Sequence, residues 1–237
     1  MTEADWLSCA DPEALLKHCA GRLDARQYRL FACACCRRVW RLIRDPSCRQ
    51  AVEAAEAFVD GLLTEAELEE FLKTAHQKKP LFADANWAAC WCADLDAEEA
   101  ATEAAYRAAM SVADAGSEAA KSRARAAVCS GAPEADKQAA WENYEQVVAN
   151  LGNDEARAQA DLLRDIVGNP FRKVDWSTPL PLTVVDLAEA LYAGDDCAFA
   201  LHDALLEAGR ADLAEHFADP SRPHPKGCWV LDGILGK

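Results

Sequence analysis

The sequence lacks several short motifs that mark common active sites. It contains no Gly-x-Ser-x-Gly nucleophile turn, no P-loop, no Gly-x-Gly-x-x-Gly dinucleotide motif and no His-Glu-x-x-His zinc motif. Glu-x-x-His, which a carboxylate cage in a ferritin-type helix bundle requires, is also missing. These absences favour a non-catalytic protein. An enzyme of unrecognised type ranks third among the hypotheses.

Long hydrophobic runs are absent as well. No stretch of about 18 apolar residues occurs, and residues 1–6 lack the basic start and apolar middle of a secretion signal. The 237 residues are nevertheless 51% hydrophobic, which is enough for a substantial core. We therefore expect a cytoplasmic protein that does not associate with membranes.

Basic residues are scarce and unevenly placed. The net charge of −15 argues against nucleic acid as a partner, because phosphate binding depends on Lys and Arg. Segment 22–49 differs, since it holds eight arginines against two aspartates. One interpretation of this arginine strip is a docking surface for an acidic protein partner or nucleic acid, with Arg37, Arg38, Arg41 and Arg44 as the candidate contacts. The preferred interpretation is a solvated helix face that offsets the protein's own carboxylates.

Strand-like alternation is missing, whereas helix start signals are frequent. Asp11-Pro12 and Asp45-Pro46 each place a capping carboxylate before a proline, and Thr64 to Glu67 forms a capping box. With glycines as stop signals, the predicted helices are 12–20, 25–44, 46–60, 65–76, 84–94, 97–115, 117–130, 134–150, 154–167, 183–193, 197–208 and 211–218. A buried helix is expected near the C-terminus, in 227–235.

These elements predict an all-α protein, an irregular multi-helix bundle in one domain, 1–237. The proline-rich segment 169–182 is expected to cross the helices in an extended form, held by Phe171 and Trp176. The alanine-rich part, 83–153, is interpreted as long helices packed through small side chains, or as a helical insertion of variable length.

Cysteine is also abundant, with eleven in the chain. In a sizeable chain without a secretion signal we expect these thiols to be reduced. Cys33, Cys35 and Cys36 fall in one predicted helix. Cys35 lies at the centre of its apolar arc and is expected to be core, whereas Cys33 and Cys36 lie on an adjoining flank at i and i+3.

Two thiols on one helical face can both reach a metal ion. His224 and Cys228 have a spacing that suits a second ligand pair, so a zinc site of Cys33, Cys36, His224 and Cys228 is one hypothesis. A thiol-lined bundle could also hold Cu(I), which favours thiolate. The preferred expectation is that the thiols are core side chains and that no cofactor is bound. His216 is interpreted as a favourable charge near a helix C-terminus.

Four segments resemble a large bacterial family that has no established function. They are the N-terminal Met-Thr-Glu-Ala-x-Trp, residues 29–40 with Ala-Cys-Ala-Cys-Cys-Arg-Arg, residues 159–172 with Gly-Asn-Pro-Phe-Arg, and residues 227–236 with Gly-Cys-Trp-Val-Leu-Asp-Gly. The resemblance implies that 1–76 and 154–237 form one structural unit, and that 29–40, 169–172 and 228–235 lie together. The resemblance assigns no activity to any residue.

The leading interpretation is a non-catalytic protein-interaction or regulatory module. A thiolate metal-binding helical protein, with zinc or Cu(I), is the alternative.

Overall fold

The computed structural model describes residues 1–77, 84–219 and 222–237, and the regular structure in these ranges is entirely helical. The helices are α1 (Glu3–Ser8), α2 (Pro12–Cys19), α3 (Ala25–Arg38), α4 (Pro46–Val59), α5 (Glu65–Gln77), α6 (Asp84–Cys92), α7 (Ala97–Cys129), α8 (Glu134–Val167), α9 (Leu182–Ala193), α10 (Ala198–Glu207), α11 (Ala211–Ala214) and α12 (Trp229–Leu235), with a 3₁₀ helix at Glu215–Phe217. The all-α prediction is confirmed. None of the described helices combines the length and the apolar character needed to cross a membrane.

The chain divides into two compact units. The terminal unit consists of Met1–Leu7 and Leu162–Lys237, and the central unit is Ser8–Asp161. This division differs from the grouping that the family resemblance implies, because most of 1–76 lies in the same unit as the alanine-rich middle. A single cooperative domain over 1–237 stays a prediction.

Helices α2, α4 and α5 start at the predicted capping signals. The Asp11 carboxylate accepts hydrogen bonds from the backbone N–H groups of Glu13 and Ala14, and the Asp45 carboxylate accepts one from Ser47. Thr64 and Glu67 form the reciprocal capping box. Each contact satisfies a backbone donor that a helix leaves free in its first turn, which is why these starts can be read from sequence.

Three of the predicted helix ends are wrong. Gly116 and Gly152 lie inside the continuous helices α7 and α8, where the sequence predicts two helices each. A Cβ atom on Gly116 would lie 2.6 Å from Leu151 Cδ1, so this glycine allows α8 to approach α7 closely. Helix α3 ends at Arg38 rather than at residue 44. In the segment that follows α3, the carbonyls of Trp40 and Ile43 accept hydrogen bonds from the Arg49 side chain.

The core of the central unit is built around small side chains. Buried alanines of α7 pack against α3 and α6, as expected for the alanine-rich segment, of which residue 83 lies outside the described residues. Cys35 is completely buried in α3, as its position in the apolar arc predicts. None of the eleven cysteines, all of which lie in the described ranges, forms a disulfide.

The terminal unit has its own apolar core beneath α9 to α12. Its fully buried side chains are Val184, Leu201, Leu205, Leu213, Phe217 and Val230, together with Leu231 and Cys228. Residues 168–181 form no helix, as the prolines predict. Within this segment, Trp176 packs against Trp229 at a ring distance of 6.4 Å, and both Trp176 and Phe171 are partly exposed, at 38% and 42%.

Candidate metal centre

Four potential metal ligands meet in the terminal unit, each from a different local element. Asp165 lies near the C-terminal end of α8, His216 is in the 3₁₀ helix, His224 is in the segment before α12, and Cys228 is the residue that precedes the first turn of α12. Over the ranges 1–77, 84–219 and 222–237, this is the one group of three or more His, Cys, Asp or Glu side chains whose ligand atoms converge.

The four ligand atoms all lie within 4.8 Å of one another. The His216 Nε2 atom is 3.0 Å from the Cys228 Sγ atom and 3.5 Å from the Asp165 Oδ1 atom. The His224 Nδ1 atom is 3.8 Å from the Asp165 Oδ2 atom. A carboxylate, two imidazoles and a thiol therefore face a common point.

All four side chains are withdrawn from solvent. The side chains of Asp165 and His224 are each 2% exposed, that of His216 is 7% exposed, and Cys228 is fully buried. Both ring nitrogens of His224 are buried without a hydrogen-bond partner among the residues that the structure describes. A buried polar group without a partner is costly, which makes this imidazole a candidate to bind an ion or a water molecule.

Burial also controls the protonation of the cluster. It lowers the pKa of His216 to about 3, assisted by the nearby His224 and Arg222. Burial and Arg222 lower the pKa of His224 to about 4. Both imidazoles are therefore neutral near pH 7, which is the form that binds metals. Burial raises the pKa of the Cys228 thiol well above its ordinary value, so without a cation this group is a neutral thiol.

Aromatic rings surround the two histidines. The Phe217 ring lies 4.6 Å from that of His224, and the Trp229 ring lies 5.6 Å from that of His216. Trp229 also packs against Gly168, where a Cβ atom would come within 3.0 Å of the indole. These rings place apolar surface against both imidazoles.

Hydrogen bonds fix the end of α8 that carries Asp165. Arg164 donates to the Trp6 carbonyl, and the Glu3 carboxylate accepts from both Asn169 and Arg172. These bonds join the N-terminal segment to residues 169–172 within the terminal unit, whereas the grouping of 29–40, 169–172 and 228–235 that the resemblance implies stays a prediction.

The structure brings together only part of the ligand set predicted from sequence. His224 and Cys228 belong to the cluster, whereas Cys33 and Cys36 lie in the central unit among other thiols. The Cys36 Sγ atom is 3.1 Å from the Cys92 Sγ atom, and the Cys33 Sγ atom is 4.0 Å from the Val52 carbonyl oxygen. The contact with the Cys92 thiol, together with burial, raises the pKa of Cys33, and burial raises the pKa of Cys36 and Cys92, so these groups are neutral core thiols.

Sequence reasoning missed Asp165 and His216. Asp165 had a detectable signal, since it is an acidic residue among the apolar positions Leu162, Leu163 and Ile166 of an amphipathic helix. For His216, the sequence contains no signal that distinguishes it from a histidine that only caps a helix end. Its ring instead faces the thiol and the carboxylate of this cluster.

The predicted partner contacts fall into two pairs. Arg37 forms two hydrogen bonds with the Glu56 carboxylate, and Arg38 forms two with the Glu155 carboxylate. Arg41 and Arg44 are exposed. Arg37 and Arg38 thus act as counter-ions to carboxylates of their own unit. The predicted docking surface therefore depends on Arg41 and Arg44.

No family model, no curated protein and no solved structure matches the chain. Two of the segments behind the family resemblance, 159–172 and 227–236, supply Asp165 and Cys228 to the metal centre.

Proposed function

We propose that this protein is a non-catalytic regulatory or interaction module whose terminal unit binds one Zn²⁺ ion through Asp165, His216, His224 and Cys228. The convergence of these four ligand atoms in a buried cluster is the observation that supports the proposal. Thiolate sulfur, imidazole nitrogen and carboxylate oxygen are the three ligand types that Zn²⁺ takes in proteins. Cu(I) is less suitable because it prefers an all-sulfur environment.

The distances suit zinc after small side-chain adjustments. In a tetrahedral site with bonds of about 2.0–2.3 Å, ligand atoms are about 3.3–3.8 Å apart. The measured separations of 3.0, 3.5 and 3.8 Å are close to this range. An ion would also provide the missing partner for the buried ring of His224.

Four protein ligands favour a structural role for the ion. Catalytic zinc sites keep one position open for water or substrate, whereas structural sites are closed by four side chains. The ion would join α8, the 3₁₀ helix, the segment around His224 and α12. Helix α12 has only seven residues, so its stability depends on packing and on such a link.

The experiment is elemental analysis of protein purified without added metal, followed by a Zn²⁺ titration of the chelator-treated protein. We expect one zinc per chain and a rise in melting temperature on titration. At a free Zn²⁺ concentration of one hundred times Kd, the free energy of unfolding should rise by about 2.7 kcal/mol. Co²⁺ in the same site should show the spectrum of a tetrahedral thiolate complex.

Matched variants separate this site from general metal binding. His224→Ala and Cys228→Ser should abolish stoichiometric binding. His202→Ala and Cys197→Ser should not, because His202 pairs with Asp203 and the Cys197 thiol donates to a backbone carbonyl, both in the same unit. Stoichiometric zinc retained by both His224→Ala and Cys228→Ser would contradict this ligand set, and native stability without any bound metal would contradict the proposal.

A further inference from the structure

Arg222 contacts the metal centre without being a potential ligand. The Nη2 atom of its guanidinium group lies 2.5 Å from the Asp165 Oδ1 atom. The Arg222 side chain is 39% exposed, whereas that of Asp165 is 2% exposed. The arginine side chain therefore extends from the surface to a buried carboxylate, and part of it remains accessible to water.

The charges of the cluster balance in this arrangement. Asp165 contributes −1 and Arg222 contributes +1, while the two imidazoles and the Cys228 thiol are neutral. Asp219 and Asp232 act on His224 and Cys228 from outside the cluster, and both are at least partly accessible to water, which screens them. The buried part thus has no net charge.

A divalent ion changes this balance. Zn²⁺ brings +2, and Cys228 becomes a thiolate with −1 as its proton leaves to solvent. If Arg222 stayed on Asp165, the buried cluster would carry +1, which is unfavourable in a medium of low polarity. If Arg222 moves to water, the ion, the carboxylate and the thiolate sum to zero.

We propose that metal binding displaces Arg222 from Asp165, so that the released arginine reports metal occupancy at the protein surface. This inference rests on the proposed zinc site. It makes Arg222 the counter-ion of the metal-free state and a competitor of the metal for one carboxylate. The module would therefore present a different charged surface with and without the ion.

The first test is the Zn²⁺ affinity of Arg222→Gln, measured by competition with a chromophoric chelator. Without the ion pair that metal must break, the variant should bind Zn²⁺ about 10- to 100-fold more tightly. Arg210→Gln is the matched control, because Arg210 pairs with Asp212 in the same unit, and its affinity should equal that of the wild type. Affinity of Arg222→Gln that is unchanged or weaker than wild type would overturn the inference, since Arg222 would then hold Asp165 in place for the metal.

The second test uses the wild-type protein and does not depend on a variant that folds. Phenylglyoxal, which modifies accessible guanidinium groups, should label Arg222 faster when Zn²⁺ is bound and should label Arg210 at an unchanged rate. Equal labelling of Arg222 in both states would overturn the displacement while leaving zinc binding intact. Failure of the wild type to bind Zn²⁺ would instead overturn the proposed function.

Discussion

Replacing Arg38 with Gln tests whether the arginine strip serves the fold or a partner. Arg38 donates two hydrogen bonds of 2.9 Å to the Glu155 carboxylate, whose side chain is 5% exposed. Gln159 also donates a hydrogen bond to this carboxylate, at 3.3 Å. Arg38→Gln therefore leaves a buried negative charge with much weaker compensation.

The expected cost follows from the burial of each partner. Breaking a fully buried ion pair typically costs about 3–5 kcal/mol, and leaving one buried group unsatisfied costs about 1–3 kcal/mol. Because the Arg38 side chain is 34% exposed, water can partly replace it, and we expect a loss of about 2 kcal/mol in the free energy of unfolding. Urea denaturation followed by far-UV circular dichroism would measure this loss as a lower midpoint.

Arg41→Gln is the matched control, since Arg41 is an exposed arginine close to Arg38 in the sequence. Its effect should be within about 0.5 kcal/mol. Combining Arg38→Gln with Glu155→Gln should restore part of the stability, because the buried charge is then removed as well. A cost for Arg38→Gln as small as that for Arg41→Gln would refute the counter-ion reasoning and return Arg38 to the predicted docking surface.

Two further predictions concern packing. Cys35→Ala should lower the free energy of unfolding by about 1 kcal/mol because a small core contact is lost, whereas Cys129→Ala, at an exposed position, should have little effect in the same thermal denaturation assay. Gly233→Ala should cost about 1–3 kcal/mol because its methyl group would overlap the ring of Trp176, with a change in tryptophan fluorescence. Gly152→Ala, in open space within α8, should instead stabilise the protein by about 0.5–1 kcal/mol, and destabilisation there would contradict the continuous helix.

Two of the four candidate ligands could be predicted from the sequence. His224 and Cys228 are close together in the chain, so their spacing alone identified them as a ligand pair. Their partners could not be chosen in the same way, because Asp165 is 51 residues before His216 and no local pattern connects the two. Cys33 and Cys36 had the better local spacing, but the fold places the Cys36 thiol beside that of Cys92 in the central unit.

What the sequence alone determined is local. Capping residues such as Asp11, Asp45 and Thr64 set helix starts because they satisfy backbone donors within three residues of themselves. Tertiary structure decided the rest, since it depends on which surfaces meet. In the sequence Gly116 resembles a helix end, whereas in the structure it lies inside α7 and faces Leu151. Asp165 is recognisable as a candidate ligand only in the folded structure, where it lies beside His216, His224 and Cys228. Long-range packing sets these contacts, and the sequence near each residue contains no pattern for them.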